Sequence, residues 1–149
     1  MKIRKATKKD FKEYLSMRKE GGEYFEKISG EKFNLTNKKI KKEFEDLIFK
    51  KNLYLFFLIV GGEIVGYLNI LITKNRYEPV SYLNDFLVKK RFRGEGYGKY
   101  LLKDFIRFSK SKKVKKIGLG TRIENRKAIK LYKKLGFKII GYNFGMKLK

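Results

Sequence analysis

The chain has 149 residues, and its 39 lysines and arginines against 15 acidic residues give a formal net charge of +24. It contains no cysteine and no histidine, which excludes a disulfide framework, a thiol nucleophile and a histidine general base. The length predicts one domain over residues 1–149 with its own core. The charge indicates either a nucleic-acid surface or a lysine bias of the whole chain, and the even spread of the lysines favours the bias.

The beginning of the chain predicts a short strand followed by a helix. Residues 2–6 have a strand pattern, and Thr7 with Asp10 three positions later forms an N-cap pattern before an amphipathic helix. The glycine pair 21–22 is predicted to end this helix, and residues 23–35 are predicted to form a partly buried connection. The polar N-terminus predicts no leader peptide and a cytoplasmic location.

The middle of the chain predicts a second helix and a hairpin. Thr36 is predicted to cap a helix whose apolar side chains share one face. Residues 53–60 and 63–72 have β patterns, and the glycine pair 61–62 between them predicts a hairpin with a primed turn. The apolar run 53–60 is the longest in the chain and is too short to span a bilayer.

The second half of the chain predicts a strand, a glycine-rich turn and two more strand-and-helix pairs. A strand over residues 80–88 leads into glycines at 94, 96 and 98, and side chains at helical spacing follow them. Beyond this helix, the pattern predicts a strand, a helix and a closing pair of strands at residues 114–119, 125–135, 137–140 and 144–148. The predicted order of the whole chain is β-α-α-β-β-β-α-β-α-β-β.

The glycine-rich turn is the first candidate for a functional site. Glycine leaves the backbone N–H groups uncovered, and the dipole of the following helix adds partial positive charge, so such a turn can hold a phosphate without any side chain. A tight strand-to-helix turn without a ligand is the alternative. The turn lacks the lysine and hydroxyl ending of a P-loop, and it lies too late in the chain for a dinucleotide fold.

Two motifs together carry a resemblance to a known family. Arg93, Gly96 and Gly98 match the pattern Arg/Gln-x-x-Gly-x-Gly/Ala, and residues 125–137 match Asn-x-x-Ala-x-x-x-Tyr-x-x-x-Gly-Phe. The pair resembles the GNAT superfamily of acyl-CoA-dependent N-acetyltransferases, and the predicted element order is similar to the fold of that family. The resemblance implies an α/β protein with a mixed, mostly antiparallel twisted sheet of about seven strands and helices on both faces.

The resemblance also implies a site for acetyl-CoA, which would be the acyl donor, and no metal. In this family the strands at 80–88 and 114–119 splay apart, and the pantetheine arm lies between them. Phe86 and Val88 would hold the arm through main-chain groups, and the glycine turn would take the pyrophosphate, with added charge from Lys99. Asn125 would bind the arm, or serve only as a helix cap. The implied cofactor-binding residues are Phe86, Leu87, Val88, Arg93, Gly94, Glu95, Gly96, Tyr97, Gly98, Lys99 and Asn125.

Two catalytic roles follow from the chemistry of amine acetylation. Tyr132 matches the family tyrosine that protonates the departing thiolate, and the alternative for it is a packing role on its helix. Some relatives carry a glutamate base at a position that is Gly120 here, so the base must be another group. Asp85, Glu124 and ordered water are the candidates, and Asp85 is preferred because strand alternation could direct it to the acceptor side. An ion pair between Asp85 and a lysine is its alternative role.

The predicted function is transfer of an acetyl group from acetyl-CoA to a primary amine, by direct attack in a ternary complex. The acceptor would be a small molecule or a protein amine, and the protein a monomer or homodimer away from membranes. A polyamine acceptor would require Glu20, Glu23, Glu26 and Glu31 to gather into an acidic entrance. The alternative function is a basic nucleic-acid-binding or ribosome-associated module on the same fold, which a salt series would distinguish.

Overall fold

A five-stranded sheet in the order β1-β2-β3-β4-β5 forms the centre of the computed structural model, which describes residues 1–148. The pairs β1–β2, β2–β3 and β3–β4 are antiparallel, and β5 runs parallel to β4. This arrangement confirms the predicted mixed, mostly antiparallel α/β sheet. The strands are β1 (Lys2–Lys5), β2 (Leu53–Val60), β3 (Glu63–Lys74), β4 (Pro79–Val88) and β5 (Lys116–Leu119).

Four α-helices cover the two faces of the sheet, and alternating strand residues separate two cores. Tyr67 and Leu87 belong to the core beneath the first two helices, whereas Leu68 and Phe86 pack with the other two. The prediction of helices on both faces is therefore confirmed. The helices are α1 (Phe11–Ser29), α2 (Asn37–Phe49), α3 (Tyr97–Ser111) and α4 (Arg126–Lys134), with short 3-10 turns at Lys8–Asp10 and Lys90–Phe92.

The turn and cap predictions in the first half are confirmed. The Thr36 hydroxyl accepts a hydrogen bond from the Lys39 backbone at 3.3 Å and caps α2. Gly61 and Gly62 have φ values of +57° and +83°, as a primed turn between β2 and β3 requires. Local side-chain and backbone chemistry was sufficient for both predictions because each depends on residues close in sequence.

The predicted end of the first helix is wrong, because α1 continues through the glycine pair to Ser29. A Cβ on Gly22 would come within 2.0 Å of the Phe33 ring, so this glycine permits close packing rather than ending the helix. The helix ends instead at Gly30, which has a φ of +72° and donates its N–H to the Glu26 carbonyl at 2.9 Å. Residues 23–29, predicted as irregular, are therefore helical.

The predicted closing pair of strands is also wrong, since residues 137–148 contain no strand, and the described sheet has five strands rather than about seven. Every second side chain of this segment is apolar, and all five are 75–96% exposed: Ile140, Tyr142, Phe144, Met146 and Leu148. Alternation satisfies the side-chain requirement of a strand, but a strand also needs a neighbour for its backbone hydrogen bonds. A cleft of about 1530 Å³ lies between this segment and the end of β5.

The remaining differences from the predicted elements are small. The third strand extends two residues further than predicted, to Lys74, and the fifth begins at Lys116 rather than Val114, although Val114 is buried. No helix within residues 1–148 is both long enough and apolar enough to cross a membrane. The cytoplasmic location stays a prediction.

Candidate active site

A gap opens between β4 and β5 where their pairing stops. The parallel pairing runs from Val80 opposite Lys116 to Leu83 opposite Leu119. The fourth strand then continues to Val88 with β3 on one side and no strand on the other. The predicted residues Phe86, Leu87 and Val88 lie on this unpaired end. Because Lys89 donates to Val65 of β3 and main-chain direction alternates along a strand, Leu87 faces β3, whereas Phe86 and Val88 face the open side. The splaying of β5 away from β4 stays a prediction, since all four β5 residues are paired.

A β-bulge distorts β4 at the mouth of this gap. Asn69 of β3 is opposite Asp85, and the next residue, Ile70, is opposite Leu83, so Asn84 is an extra residue in β4. A bulge bends its strand and changes the direction of nearby side chains. Here it brings both Asn84 and Asp85 to the lining of one cleft, on the face covered by α1 and α2.

The glycine turn lies directly beyond the end of β4. Gly94 and Gly96 have φ values of +93° and +84°, and a Cβ at either would meet no atom within 4 Å. Among the described residues, the N–H groups of Gly94, Glu95 and Gly96 have no hydrogen-bond partner, and the first turn of α3 adds more unpaired N–H groups. The turn therefore presents a row of open amides at the positive end of a helix dipole. Gly98 is helical and has ordinary room for a Cβ.

Arg93 fixes this turn to the end of β4. Its Nε donates to the Val88 carbonyl at 2.9 Å, its Nη2 lies 3.3 Å from Glu20 Oε1, and its guanidinium lies over the Tyr24 ring at 4.9 Å. These contacts hold the side chain against the protein. Of the other predicted cofactor residues in this turn, Glu95 and Lys99 are exposed, and Tyr97 is half-buried beside Phe92.

Tyr132 faces the gap from the α4 side. Its side chain is buried, and its ring lies 6.2 Å from the Phe86 ring of β4. Burial raises the pKa of Tyr132 to about 12, and the nearby Asp85 and Tyr24 act in the same direction. The hydroxyl has no hydrogen-bond partner within residues 1–148. At neutral pH it therefore holds a proton that is free to be donated.

Two other predicted residues begin α4. Asn125 caps the helix, since its Oδ1 accepts from the Ala128 backbone at 3.3 Å, and the same atom accepts from the Tyr24 hydroxyl at 3.3 Å. Glu124 is exposed and paired with Arg122 at 3.2 Å, which lowers the pKa of this carboxyl. A lowered pKa makes Glu124 a weaker base. Gly120 has no side chain that could act as a base, and no atom lies within 4 Å of where its Cβ would be.

Asp85 lies on the opposite face of β4 from Tyr132, within a network of charged and phenolic groups. Arg18 Nη1 lies 3.2 Å from its carboxylate, and the Tyr67 hydroxyl donates a hydrogen bond to it. Burial raises the pKa of Asp85 although Arg18 and Tyr67 oppose the shift. Its partner is thus an arginine and not a lysine. The same arginine binds Glu43 at 2.9 Å and 3.2 Å, and Glu43 also accepts from the Tyr14 hydroxyl.

Sequence reasoning missed Arg18 and Glu43, although a signal for each was present. Arg18 follows four residues after Tyr14 and therefore lies on the buried face of α1. Glu43 lies between Ile40 and Leu47 on the apolar face of α2. One charge on the buried face of each of two neighbouring helices indicates an ion pair, because a lone buried charge is costly.

Three of the four glutamates proposed for an acidic entrance are each held by a different partner. Glu20 accepts from the Lys90 backbone at 2.6 Å and pairs with Arg93. Glu26 accepts from the Phe33 backbone at 2.6 Å, and Glu31 lies 3.4 Å from Arg122. These three carboxylates therefore have separate partners. In the part of the chain that the structure describes, no group of three or more acidic side chains is suited to a metal ion.

Comparisons with known sequences agree with this architecture. A sequence profile described as the Acetyltransferase (GNAT) family matches residues 16–137. An uncharacterized N-acetyltransferase of Methanocaldococcus jannaschii is 29% identical over 140 residues, which cover 91% of this chain and 59% of that protein. The chain thus spans about three fifths of the length of this relative.

Solved structures share the fold at low sequence identity. The BH1408 protein of Bacillus halodurans superposes with a TM-score of 0.87 at 21% identity, over 99% of this chain and 100% of that one. The aminoglycoside N-acetyltransferase AAC(6')-Iy, solved in complex with CoA, gives a TM-score of 0.76 at 19% identity, over 99% of both chains. At these identities the likeness shows the fold.

Proposed function

Because the chain belongs to the GNAT family of acetyltransferases, we propose that it transfers the acetyl group of acetyl-CoA to a primary amine by direct attack in a ternary complex. One observation carries this proposal: the unpaired end of β4, the open glycine turn and the protonated Tyr132 meet at a single gap. The first could hold an extended arm, the second a pyrophosphate, and the third could supply a proton to a leaving group.

The donor side is suited to a long anionic molecule. The open amides of Gly94, Glu95 and Gly96 provide hydrogen-bond donors for phosphate oxygens, and the α3 dipole adds positive potential. The Phe86 main chain and the Val88 N–H, on the open side of β4, can pair with an amide-containing arm, as a neighbouring strand would, whereas the Val88 carbonyl is held by Arg93. A main-chain N–H in the same stretch could polarise the thioester carbonyl.

The proposed reaction needs one bond formed, one bond broken and two proton transfers from the amine. The ammonium ion first loses a proton, and the neutral nitrogen then attacks the carbonyl carbon of the thioester. Asp85 or water takes that first proton and passes it to the solvent. As the C–S bond breaks, the thiolate takes a proton from Tyr132, and the second amine proton passes through water and restores the tyrosine. In total, an ammonium ion and acetyl-CoA give an amide, a thiol and one released proton.

Asp85 is the best candidate for the base. Its raised pKa makes it a stronger base than an exposed carboxylate, whereas Arg122 lowers the pKa of Glu124. Asp85 also lies near enough to Tyr132 for its charge to raise the pKa of that hydroxyl. Because the two groups lie on opposite faces of β4, an amine beside Asp85 would reach the thioester past the open end of that strand, where β5 no longer covers it.

Release of CoA thiol, measured with acetyl-CoA and a panel of amines, tests this function. We expect thiol and acetylated amine to form in equal amounts, and acetyl-CoA binding to weaken only modestly with salt. A chain that binds no CoA and releases no thiol, but binds nucleic acid with a steep salt dependence, would support the basic binding module instead.

A further inference from the structure

A second cleft of about 660 Å³ lies beside Asp85 under α2, on the face of the sheet away from Tyr132. Two apolar side chains, Leu47 and Leu53, form part of its wall. Its volume falls within the usual range for small-molecule sites, roughly 300–1,000 Å³. The chemistry of the remaining lining residues indicates what kind of molecule it would take.

The floor of the cleft has more hydrogen-bond acceptors than donors. Arg18 supplies one positive charge there, and Glu43 and Asp85 supply two negative charges. Arg18 already uses its Nε, Nη1 and Nη2 groups on these two carboxylates. In a chain with a net charge of +24, the floor therefore keeps one net negative charge.

Asn69 is an independent sign of a missing donor. It lines the cleft, it is 7% exposed, and its Oδ1 accepts no hydrogen bond from any described residue. Leaving such a buried oxygen unpaired destabilises the protein, because the oxygen has lost its hydrogen bonds to water. Asn69 is directly opposite Asp85 in the register of β3 and β4, so the unpaired oxygen and the carboxylate belong to one face. A ligand with donors and no acceptor, such as an ammonium group, would satisfy both.

The rim of the cleft has the opposite charge. Lys39 and Lys42 lie in its lining, both are exposed, and neither has an ion-pair partner among the described residues. Asp46, which also lines the cleft, is paired with Lys50 at 3.0 Å. Two unpaired cations at the entrance would repel the second charge of a diamine and attract a carboxylate or another anion.

We propose that this cleft binds the acceptor, and that the acceptor is a small primary amine with an anionic group at its other end. The ammonium end lies against Asp85 and Asn69, and the anionic end lies against Lys39 and Lys42. This inference rests on the proposed acetyl transfer, and it defines the substrate class for that reaction. The ammonium would then lie beside the group that must take its proton.

Acetylation of three linear amines of equal length tests the substrate class: an ω-amino acid, the uncharged alkylamine and the diamine. We expect kcat/KM to be at least tenfold higher for the amino acid than for the alkylamine, and lowest for the diamine. Changing Lys39 and Lys42 together to Gln should remove the preference for the acid. The matched control changes Lys38 and Lys41 to Gln, since both are exposed and neither lines the cleft.

The floor is tested by Asn69→Leu, which keeps the side-chain size and removes the oxygen. We expect a KM for the amine that is at least tenfold higher, with unchanged acetyl-CoA affinity and a melting temperature no lower than that of the parent. Equal use of the three amines, or an unchanged KM in Asn69→Leu, overturns this inference while acetyl transfer stands. Absence of thiol release with every amine rejects the proposed function itself, and calorimetric titration of the ω-amino acid alone then shows whether the cleft binds it.

Discussion

The two sides of the candidate site are built in different ways. The proposed donor side consists of main chain: an unpaired strand end and a glycine turn, all within residues 84–98. The proposed acceptor side consists of side chains from four separate elements, namely Arg18 of α1, Glu43 of α2, Asn69 of β3 and Asp85 of β4. A main-chain site can be recognised from one short motif, whereas a site made of distant side chains requires the fold. The donor side should therefore be sensitive to backbone changes, and the acceptor side to changes of charge.

Gly96→Asp should have the largest effect on the donor side. The substitution forces a side chain into a φ of +84° and places a negative charge among the open amides. Losing two charge-assisted hydrogen bonds alone corresponds to about a hundredfold weaker acetyl-CoA binding, measured by calorimetry. Gly62→Asp is the control, because its φ of +83° and open surroundings match while its turn is at the far hairpin. Unchanged affinity in a folded Gly96→Asp protein would remove the glycine turn as the phosphate site.

Tyr132→Phe should affect chemistry and leave binding intact. Without the hydroxyl, the thiolate loses its proton donor, so we expect kcat to fall by about tenfold to a thousandfold with acetyl-CoA affinity nearly unchanged. Pre-steady-state kinetics would establish that chemistry limits the rate. The exposed Tyr77 provides a matched control as Tyr77→Phe. Equal turnover in Tyr132→Phe and the parent would leave Tyr132 with a packing role only.

Asp85→Asn should change the dependence of the rate on pH. In the parent, the rate should fall as the pH drops through the raised pKa of Asp85, because the protonated carboxyl cannot accept a proton. The variant should lose about tenfold or more at neutral pH and recover as the pH approaches the pKa of the acceptor amine, where the amine needs no base. Arg18→Met serves as the comparison, since it leaves the carboxylate in place. If Asp85→Asn keeps the parental profile, water becomes the better candidate for the base.

The smallest predicted effect is on stability, at an ion pair that belongs to neither half of the candidate site. Arg4 binds Asp10 at 2.7 Å and lowers the pKa of Asp10 to about 2. A lowered pKa means that the pair stabilises the fold above the unfolded-state pKa near 3.8, and that this contribution disappears as the pH falls toward 2. Asp10→Asn should therefore cost about 1 kcal/mol or more at pH 7 and progressively less as the pH falls from 3.8 through 2, by chemical denaturation. Turnover at pH 7 should not change, which separates this pair from Arg18 and Asp85.

Much of the fold could be predicted because its determinants are local. The hairpin at Gly61 and Gly62 and the cap at Thr36 each depend on a few adjacent residues, and the sequence patterns indicated them correctly. The continuation of α1 through Gly22 could not be predicted in this way. It depends on the ring of Phe33, which packs where a larger side chain would stand.

The donor half of the candidate site could be predicted from the sequence about as well as the fold, whereas the acceptor half could not. The positions of Tyr132 and the glycine turn were indicated by motifs, and Asp85 was preferred for its place on β4. The structure places Tyr132 and the turn beside Phe86, and Asp85 on the opposite face of β4. Their functional roles stay predictions. Arg18, Glu43 and Asn69 form no motif with Asp85, because three different elements carry them and only the sheet register and helix packing bring them together.

The exposed C-terminal segment has a consequence for the protein in solution. Its alternating apolar side chains and the open edge of β5 are both surfaces that pair readily with another chain, which is the condition for edge-to-edge aggregation. The net charge of +24 opposes this association, since every copy repels every other at long range. Salt shortens the range of that repulsion to about 10 Å at 0.1 M and about 3 Å at 1 M. Colloidal stability should therefore decline as ionic strength rises, so low salt favours storage of the protein at high concentration.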